Sequence, residues 1–554
     1  MTSLALLAFL PSLFFQAAPS AYSPEHATKI LEAAPKAIES ITAKGIEKQV
    51  RKFTSPEWEG RLTGTPGQEK AAAWFQKEFE SFGLDPMGEE MEDGKRSWYQ
   101  HYPVTLFGIK DESGLFDAEG RRICKAGGWF NMRRLLATGK DLDVKGKLAF
   151  VGRWPEAKTL DDEDLGDLEG RIAVYSMAMP TLGKRFESMP GIYRAMYLMG
   201  KFNPLVSNAA RQAKNAGALA CIVLLEEYTP VFQALGNTTG LCRGTPTVVR
   251  GHRDRLRGGG MGMGVGSTTP VFVAGGKDTQ DILTAMGLEP KQVFGEQVPA
   301  RVVSRKEVRL RALPFYEKTQ ASNTVGILRG QEQGEDGGEA VILSCHMDHN
   351  GRSFDGGAFW GADDNGSGCS TVLEIARAFS KLSKAERPKH SVIFLAVSGE
   401  ERGLWGSSHF ANDPTWPLDR ILADINMDMI GRSTEKVPHD AIAVTPTNRM
   451  SKYSSLTRDA VFLGQAFGLE FKSGDKFYQR SDHINFAKKG IPIVFFCDDE
   501  HPDYHMVTDT ADKLEYDKLE KLARLSFLIA YRVATGVLIP EDIGRRPSWF
   551  AEKD

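Results

Sequence analysis

Four pieces of sequence decide the fold: VILSCHMDHNG (341–351), GADDNGSG (361–368), SVIFLAVSGEERGLWGS (391–407) and DINMDMIG (424–431). Three of them are short apolar runs that stop at a histidine or at acidic residues. GADDNGSG is a glycine-rich turn holding two adjacent aspartates. SVIFLAV has no polar alternation, as expected of a strand covered on both faces. Open α/β sheets collect ligands beyond the carboxyl ends of their strands. The pattern therefore predicts a buried parallel sheet whose edge carries a polar site.

Working outward, the same alternation continues. SNTVGILRG (322–330) and IPIVFFC (491–497) read as further strands. Apolar Val372, Ile375, Ala376, Phe379 and Leu382 mark a helix over 367–382, with others near 453–467 and 515–537. Strands alternating with helices give an α/β domain with a mixed, mainly parallel sheet flanked by helices. Upstream, residues 25–50 have helical spacing, Gly60 to Gly67 form a loop, 68–82 an amphipathic helix ended by Gly83, and the segment up to Ile109 a strand. Between 110 and 315 the character changes. Short runs such as KLAFVG, RIAVYSM, ACIVLL, TPTVVR and TPVFVA are joined by Gly- and Pro-rich connections, with a small-residue helix at 207–218. This reads as an inserted β-rich domain at 110–315, splitting a main domain into 22–109 and 316–554. The Gly-rich stretch 258–266 lies between no clear strand and helix, which argues against a phosphate loop.

At 554 residues the chain is too long for one core, so more than one domain is expected. A formal net charge of −3 gives no reason to expect nucleic acid as a partner. Six cysteines without CxxC spacing argue against a thiolate zinc module and a disulfide scaffold while leaving room for one bridge, and Cys345 and Cys497 read as buried hydrophobes. The apolar run at 4–21, broken by Pro11, reads as a signal peptide over 1–21, the alternative being an uncleaved anchor. The mature protein is then expected outside the cytoplasm, secreted or periplasmic, without stable membrane insertion. Oligomeric state is not legible.

The candidate site residues follow from position and cost. His346 and Asp348 are two apart and point to one side of a strand. His346 would bind metal through one ring nitrogen while Asp348 accepts a hydrogen bond from the other. Asp363 and Asp364 precede a helix, where capping explains acids well, Asp364 above all. Asp363 is the better bridging carboxylate. Glu400 and Glu401 at the rim of a buried sheet are costly without a cation. One can bind metal while the other faces substrate. Asp428 lies in an apolar run and needs a partner. His505, in DYHMVTDT (503–510), is uninformative alone.

Taken in order, HMD, GADDNGSG, SGEERGLWGS, NMDMIG and YHMVTDT resemble the co-catalytic zinc metallopeptidases of family M28, in clan MH, over 316–554 plus the helix and GRLTGTPG loop before residue 90. Region 110–315 is similar to the protease-associated domain that many members carry. The resemblance implies two zinc ions, with manganese or cobalt as possible substitutes. His346 and Asp428 would hold one, Glu401 and His505 the other, and Asp363 would bridge them. It implies Glu400 as general base, Asp348 orienting His346, Tyr504 stabilising the tetrahedral intermediate, and the Arg480 carbonyl holding the substrate amine. It also implies a cis bond between Asp363 and Asp364. The expected activity is a secreted exopeptidase acting on peptides or proteins, foremost an aminopeptidase. A glutamate-carboxypeptidase-like dipeptidase and a single-zinc glutaminyl-cyclase-like enzyme are the enzymatic alternatives. A binding module with a vestigial site is the non-enzymatic one.

Overall fold

The computed structural model describes residues 23–125, 128–130, 139–154, 168–180, 182–186, 189–228, 246–253, 271–296, 298–299, 301–332, 338–353, 357–447 and 454–541. The expected signal segment 1–21 and the Gly-rich stretch 258–266 lie outside these residues.

The main sheet is built from β1 (Tyr99–Ile109), β2 (Thr247–Arg250), β3 (Pro314–Leu328), β4 (Ala340–His346), β5 (Ser391–Val397), β6 (Ile421–Met427), β7 (Ala441–Thr445), β8 (Glu470–Ser473) and β9 (Ile493–Cys497). Their spatial order is β8-β7-β9-β6-β4-β5-β3-β1-β2, with the short strand Asp85–Pro86 also paired to β3. The centre, β9-β6-β4-β5, is parallel. The β3 strand runs antiparallel to it, and β1 pairs antiparallel with β3. The sheet is therefore mixed: beyond the parallel centre, β7 runs antiparallel to β9 and pairs parallel with the edge strand β8.

Period-two alternation divides the central strands between two cores. Val341, Leu343 and Cys345 of β4 and Val392, Phe394 and Ala396 of β5 meet one layer of helices. That layer contains α1 (Pro24–Glu32), α2 (Ala43–Phe53), α3 (Pro66–Ser81), α5 (Gly368–Ser380) and α6 (Tyr516–Ala534). Ile342 of β4 and Ile393, Leu395 and Val397 of β5 point the other way, against Phe410, Trp416 and Phe486. The helix expected over 25–50 is broken after α1, because Pro35 cannot continue it. It restarts at α2, where the Thr42 hydroxyl accepts from the Gly45 N–H at 3.1 Å.

The region between 110 and 315 forms a second sheet, in the order 122–125, 114–116, 302–312, 142–154, 171–177, 220–224, 271–274, 128–130. The strands 142–154, 171–177, 220–224 and 271–274 are parallel neighbours. Helix α4 (Gly191–Asn215) covers one face through Phe202, Val206, Ala209 and Ala213. The helix expected at 207–218 thus starts earlier and stops sooner, before Gly217 at φ +87°. Two features tie this unit to the main sheet. The β2 strand pairs with β1 from Phe107↔Thr247 to Val104↔Arg250. Phe359 and Met506, from the main part of the chain, are buried in the same cluster as α4. No described helix is long and apolar enough to cross a membrane. Cys345 and Cys497 are free and buried.

Candidate metal centre

The carboxyl ends of β4, β5 and β6 bring the candidate side chains together. On β4, Ser344 and His346 share the face opposite Leu343 and Cys345, and on β6 Asp424, Asn426 and Asp428 share the corresponding face. The Ser344 hydroxyl donates to Asp424 at 2.7 Å, which fixes the register beneath the site. One step along, His346 Nε2 lies 3.1 Å from Asp428 Oδ1. Beyond β5 the chain turns sharply, and Glu400 and Glu401 follow Gly399 at φ +75°. His505 arrives from the loop after β9.

Asp364 stands at the centre. Its Oδ1 lies 3.3 Å from His346 Nε2, and its Oδ2 lies 3.0 Å from His505 Nε2. His505 Nε2 is also 2.9 Å from Glu401 Oε2. Asp364 thus faces two groups of donors, His346 with Asp428 and His505 with Glu401, one through each oxygen. Both imidazole nitrogens face two carboxylate oxygens at once. A single ring N–H cannot serve two acceptors well, whereas a cation placed among them satisfies all. The donor set of imidazole nitrogen and carboxylate oxygen suits zinc. His346, Asp364 and Asp428 form one cluster able to hold a metal ion, and His349, Asp364 and Glu401 another.

Asp363, expected as the bridge, is not in this cluster. Its Oδ1 accepts from the Gly431 N–H at 2.7 Å, and its Oδ2 lies 3.1 Å from His501 Nε2. The peptide N–H groups of Asp363 and Asp364 both point to Asp509, at 3.0–3.1 Å. That anchorage turns Asp363 inward to the loop and Asp364 outward to the site. The cis bond is likewise one residue later, between Asp364 and Asn365. Both expectations are off by one because adjacent acids in a glycine-rich turn give no periodicity from which to read direction.

Asp348 is also placed differently from the expectation. His346 Nδ1 lies 3.2 Å from the Asp348 backbone oxygen and 3.8 Å from its carboxylate, so the backbone oxygen is the hydrogen-bond acceptor within reach. The carboxylate instead accepts from the Thr63 hydroxyl at 2.7 Å and from the Glu400 N–H at 3.2 Å. It fixes the Glu400 backbone and the loop at 60–67.

Glu400, Asp428, Tyr504 and Arg480 line one cavity with Asp364, Asp499 and Glu500. Burial, together with Asp428, Asp482 and Glu401, pushes the Glu400 carboxyl well above its ordinary range, against the pull of His346. Burial also lowers His505, but the Glu401 and Asp364 carboxylates outweigh it and hold the imidazole at about 10. Burial and the nearby carboxylates raise the Tyr504 phenol, keeping it a proton donor. Its ring lies 3.9 Å from that of His505. The Arg480 guanidinium is paired with Glu500 and is 3.3 Å from the Tyr193 hydroxyl of α4.

Three residues near the site were not anticipated. Arg61, at 1% exposure, donates to the carbonyls of Met347 (3.0 Å), Phe53 (3.1 Å), Trp360 (2.7 Å) and Gly361 (3.1 Å). It staples the 60–67 loop to the end of β4 and to the turn that delivers Asp364. A lone arginine in a glycine-rich loop carries no sequence signal for this. His349 and Asn350 both contact Glu401. The second histidine in HMDH was visible, but nothing in its spacing separated it from a core histidine.

The geometry is that of a metal-binding centre at the carboxyl edge of an α/β sheet. Residues 323–530 match the family model described as peptidase family M28. It is similar to a protein named probable leucine aminopeptidase from Trichophyton verrucosum, 29% identical over 206 residues, covering 36% of this chain and 55% of the relative. It is also similar to the protein named aminopeptidase YwaD from Bacillus subtilis, 26% identical over 253 residues, covering 44% and 51%. The chain spans about half the length of these curated relatives. Among solved structures, a zinc aminopeptidase from Bacillus subtilis aligns with a TM-score of 0.48 at 19% identity, covering 91% of this chain and 98% of that one.

Proposed function

We propose that the protein is a zinc-dependent exopeptidase that removes N-terminal residues from peptides, using two ions. The observation that carries this reading is Asp364, whose two oxygens face two separate donor groups. His346 and Asp428 would hold one ion, Glu401 and His505 the other, and Asp364 would bridge them. Zinc is the natural occupant, and manganese or cobalt could replace it. When bound, the ions supply Lewis-acid polarisation of the scissile carbonyl and lower the pKa of the attacking water.

The chain's own groups do the rest. Glu400, buried and raised in pKa, accepts the water's proton and returns it to the leaving amine. The Tyr504 hydroxyl donates to the carbonyl oxygen as negative charge builds there. Aminopeptidase action is supported by the charge of the cavity. Glu400 and Asp428 line it and suit a substrate ammonium, whereas the lining Asp499 is paired to Lys476. The one lining guanidinium among the described residues, Arg480, is engaged by Glu500, which disfavours recognition of a substrate carboxylate. Residues 1–21 would act as an export signal, and 110–315 as an inserted, protease-associated-like unit bordering the cavity through α4.

The test combines metal content with substrate choice. Purified protein should bind two zinc ions per chain and cleave aminoacyl-nitroanilides but not N-acylated dipeptides. Cleavage of the acylated substrates alone would reject the aminopeptidase reading, and a single tightly held zinc would reject the two-ion reading.

A further inference from the structure

We propose that His349 is a positioning residue for the second metal position, acting through Glu401; the inference rests on the two-ion reading above. The ring is fully buried. His349 Nδ1 lies 2.6 Å from Glu401 Oε1, and the Asn350 amide donates to the same oxygen at 3.1 Å. Two donors converge on Oε1, while Oε2 is left facing His505 at 2.9 Å and the Asp364 side of the site. The carboxylate is thereby prevented from rotating, and one oxygen is presented to the ion.

The seat of the ring is built for it. A Cβ on Gly361 would come within 2.6 Å of the His349 ring, so the turn delivering Asp364 closes on the imidazole only because residue 361 is glycine. Phe359 meets the ring edge-on at 6.5 Å between centroids. The His349 N–H donates to the Arg61 carbonyl at 3.1 Å, fixing the backbone as well.

Direct coordination by His349 is the competing role, since its Nδ1 is also 3.9 Å from Asp364 Oδ2. The far side of the ring decides between them. A histidine that binds metal through one nitrogen almost always donates its other N–H to an acceptor. His349 Nε2 is buried and has no hydrogen-bond partner among the described residues. A proton is better placed on Nδ1, where Glu401 accepts it, than on an Nε2 that meets no acceptor among the described residues.

The experiment titrates metal-free protein with zinc against a chromophoric chelator and reads stoichiometry and both affinities. In His349→Phe, one zinc should bind as in the native chain and the other 10–100-fold more weakly, the usual cost of losing such a partner. His349→Asn, which returns an N–H near the Nδ1 position, should recover most of the loss. Unchanged affinities in His349→Phe would reduce the residue to packing and overturn the proposal. A second measurement needs no variant: 15N-histidine NMR of the zinc-loaded native protein. A protonated Nδ1 on His349 supports the positioning role, and a metallated Nδ1 overturns it in favour of direct ligation. Failure of the native chain to bind two zinc ions would instead be a failure of the two-ion reading, and is distinguishable on that ground.

Discussion

At the scale of single residues, buried acids dominate. Glu400 is shielded from water and surrounded by other carboxylates, a setting that favours holding a proton. Glu400→Gln keeps shape and hydrogen bonding but cannot accept the water's proton. Its kcat should fall by roughly 10²–10⁴, with zinc stoichiometry unchanged; steady-state kinetics and metal analysis on one preparation check both. Asp424, beneath the site, behaves differently. Burial pushes its carboxyl up to about 8, against the opposing hydrogen bond from Ser344. The folded chain therefore keeps a proton that the unfolded chain releases near pH 4. Its stabilising contribution is complete below about pH 4 and is lost as pH rises towards 8. Asp424→Asn should remove this slope, so that urea midpoints at pH 5 and pH 8 converge, by an amount worth at least about 1 kcal/mol.

At the scale of elements, the site is held by segments that contribute no ligand. The loop at 60–67 reaches the end of β4 through Arg61 and Thr63, and so sets both the Asp364 turn and the Asp348 carboxylate. Burial lowers the Arg61 guanidinium, with only partial compensation from acids such as Asp364 and Asp348. The group is retained because four carbonyls depend on it. Arg61→Met should leave these acceptors unpaired and cost about 3 kcal/mol or more, measured by chemical denaturation. Turnover should fall as well, although residue 61 touches no substrate.

At the scale of the molecule, the two sheets are not separable. The β2 strand belongs in sequence to the inserted region and in space to the main sheet. Phe359 and Met506 are buried with α4. A fragment spanning 314–541 would expose both residues and the outer edge of β3. It should aggregate or melt without a cooperative transition in calorimetry, whereas the full chain melts cooperatively. Much of this plan was legible beforehand. The apolar runs 341–346, 391–397 and 421–427 appear as strands because a strand buried on both faces has a recognisable composition. His346 lies 3.1 Å from Asp428, and Glu401 lies 2.9 Å from His505; the first three stood out as polar residues in or beyond apolar runs, whereas His505 stood out only through the family resemblance. Which of Asp363 and Asp364 turns into the site was not legible, because the choice is made by Asp509, far away in sequence. The roles of Arg61 and His349 were hidden for the same reason: their partners are brought by the fold. The strand that crosses from the insertion to the main sheet is set by edge pairing, which leaves little trace in composition.

The Arg61 staple also bears on the order in which the protein forms. Its guanidinium must find carbonyls 286 and 300 residues further along the chain. Closing so long a loop carries a large entropic cost, and contacts of this kind slow folding. During synthesis the 60–67 loop must wait unclosed until β4 and the turn at 360–361 have been made. After dilution from denaturant, far-UV ellipticity should therefore return before hydrolytic activity does. Stopped-flow dichroism and timed activity assays, with zinc in excess throughout, would reveal the lag. A molecule caught in that interval would have most of its strands and helices and no working centre.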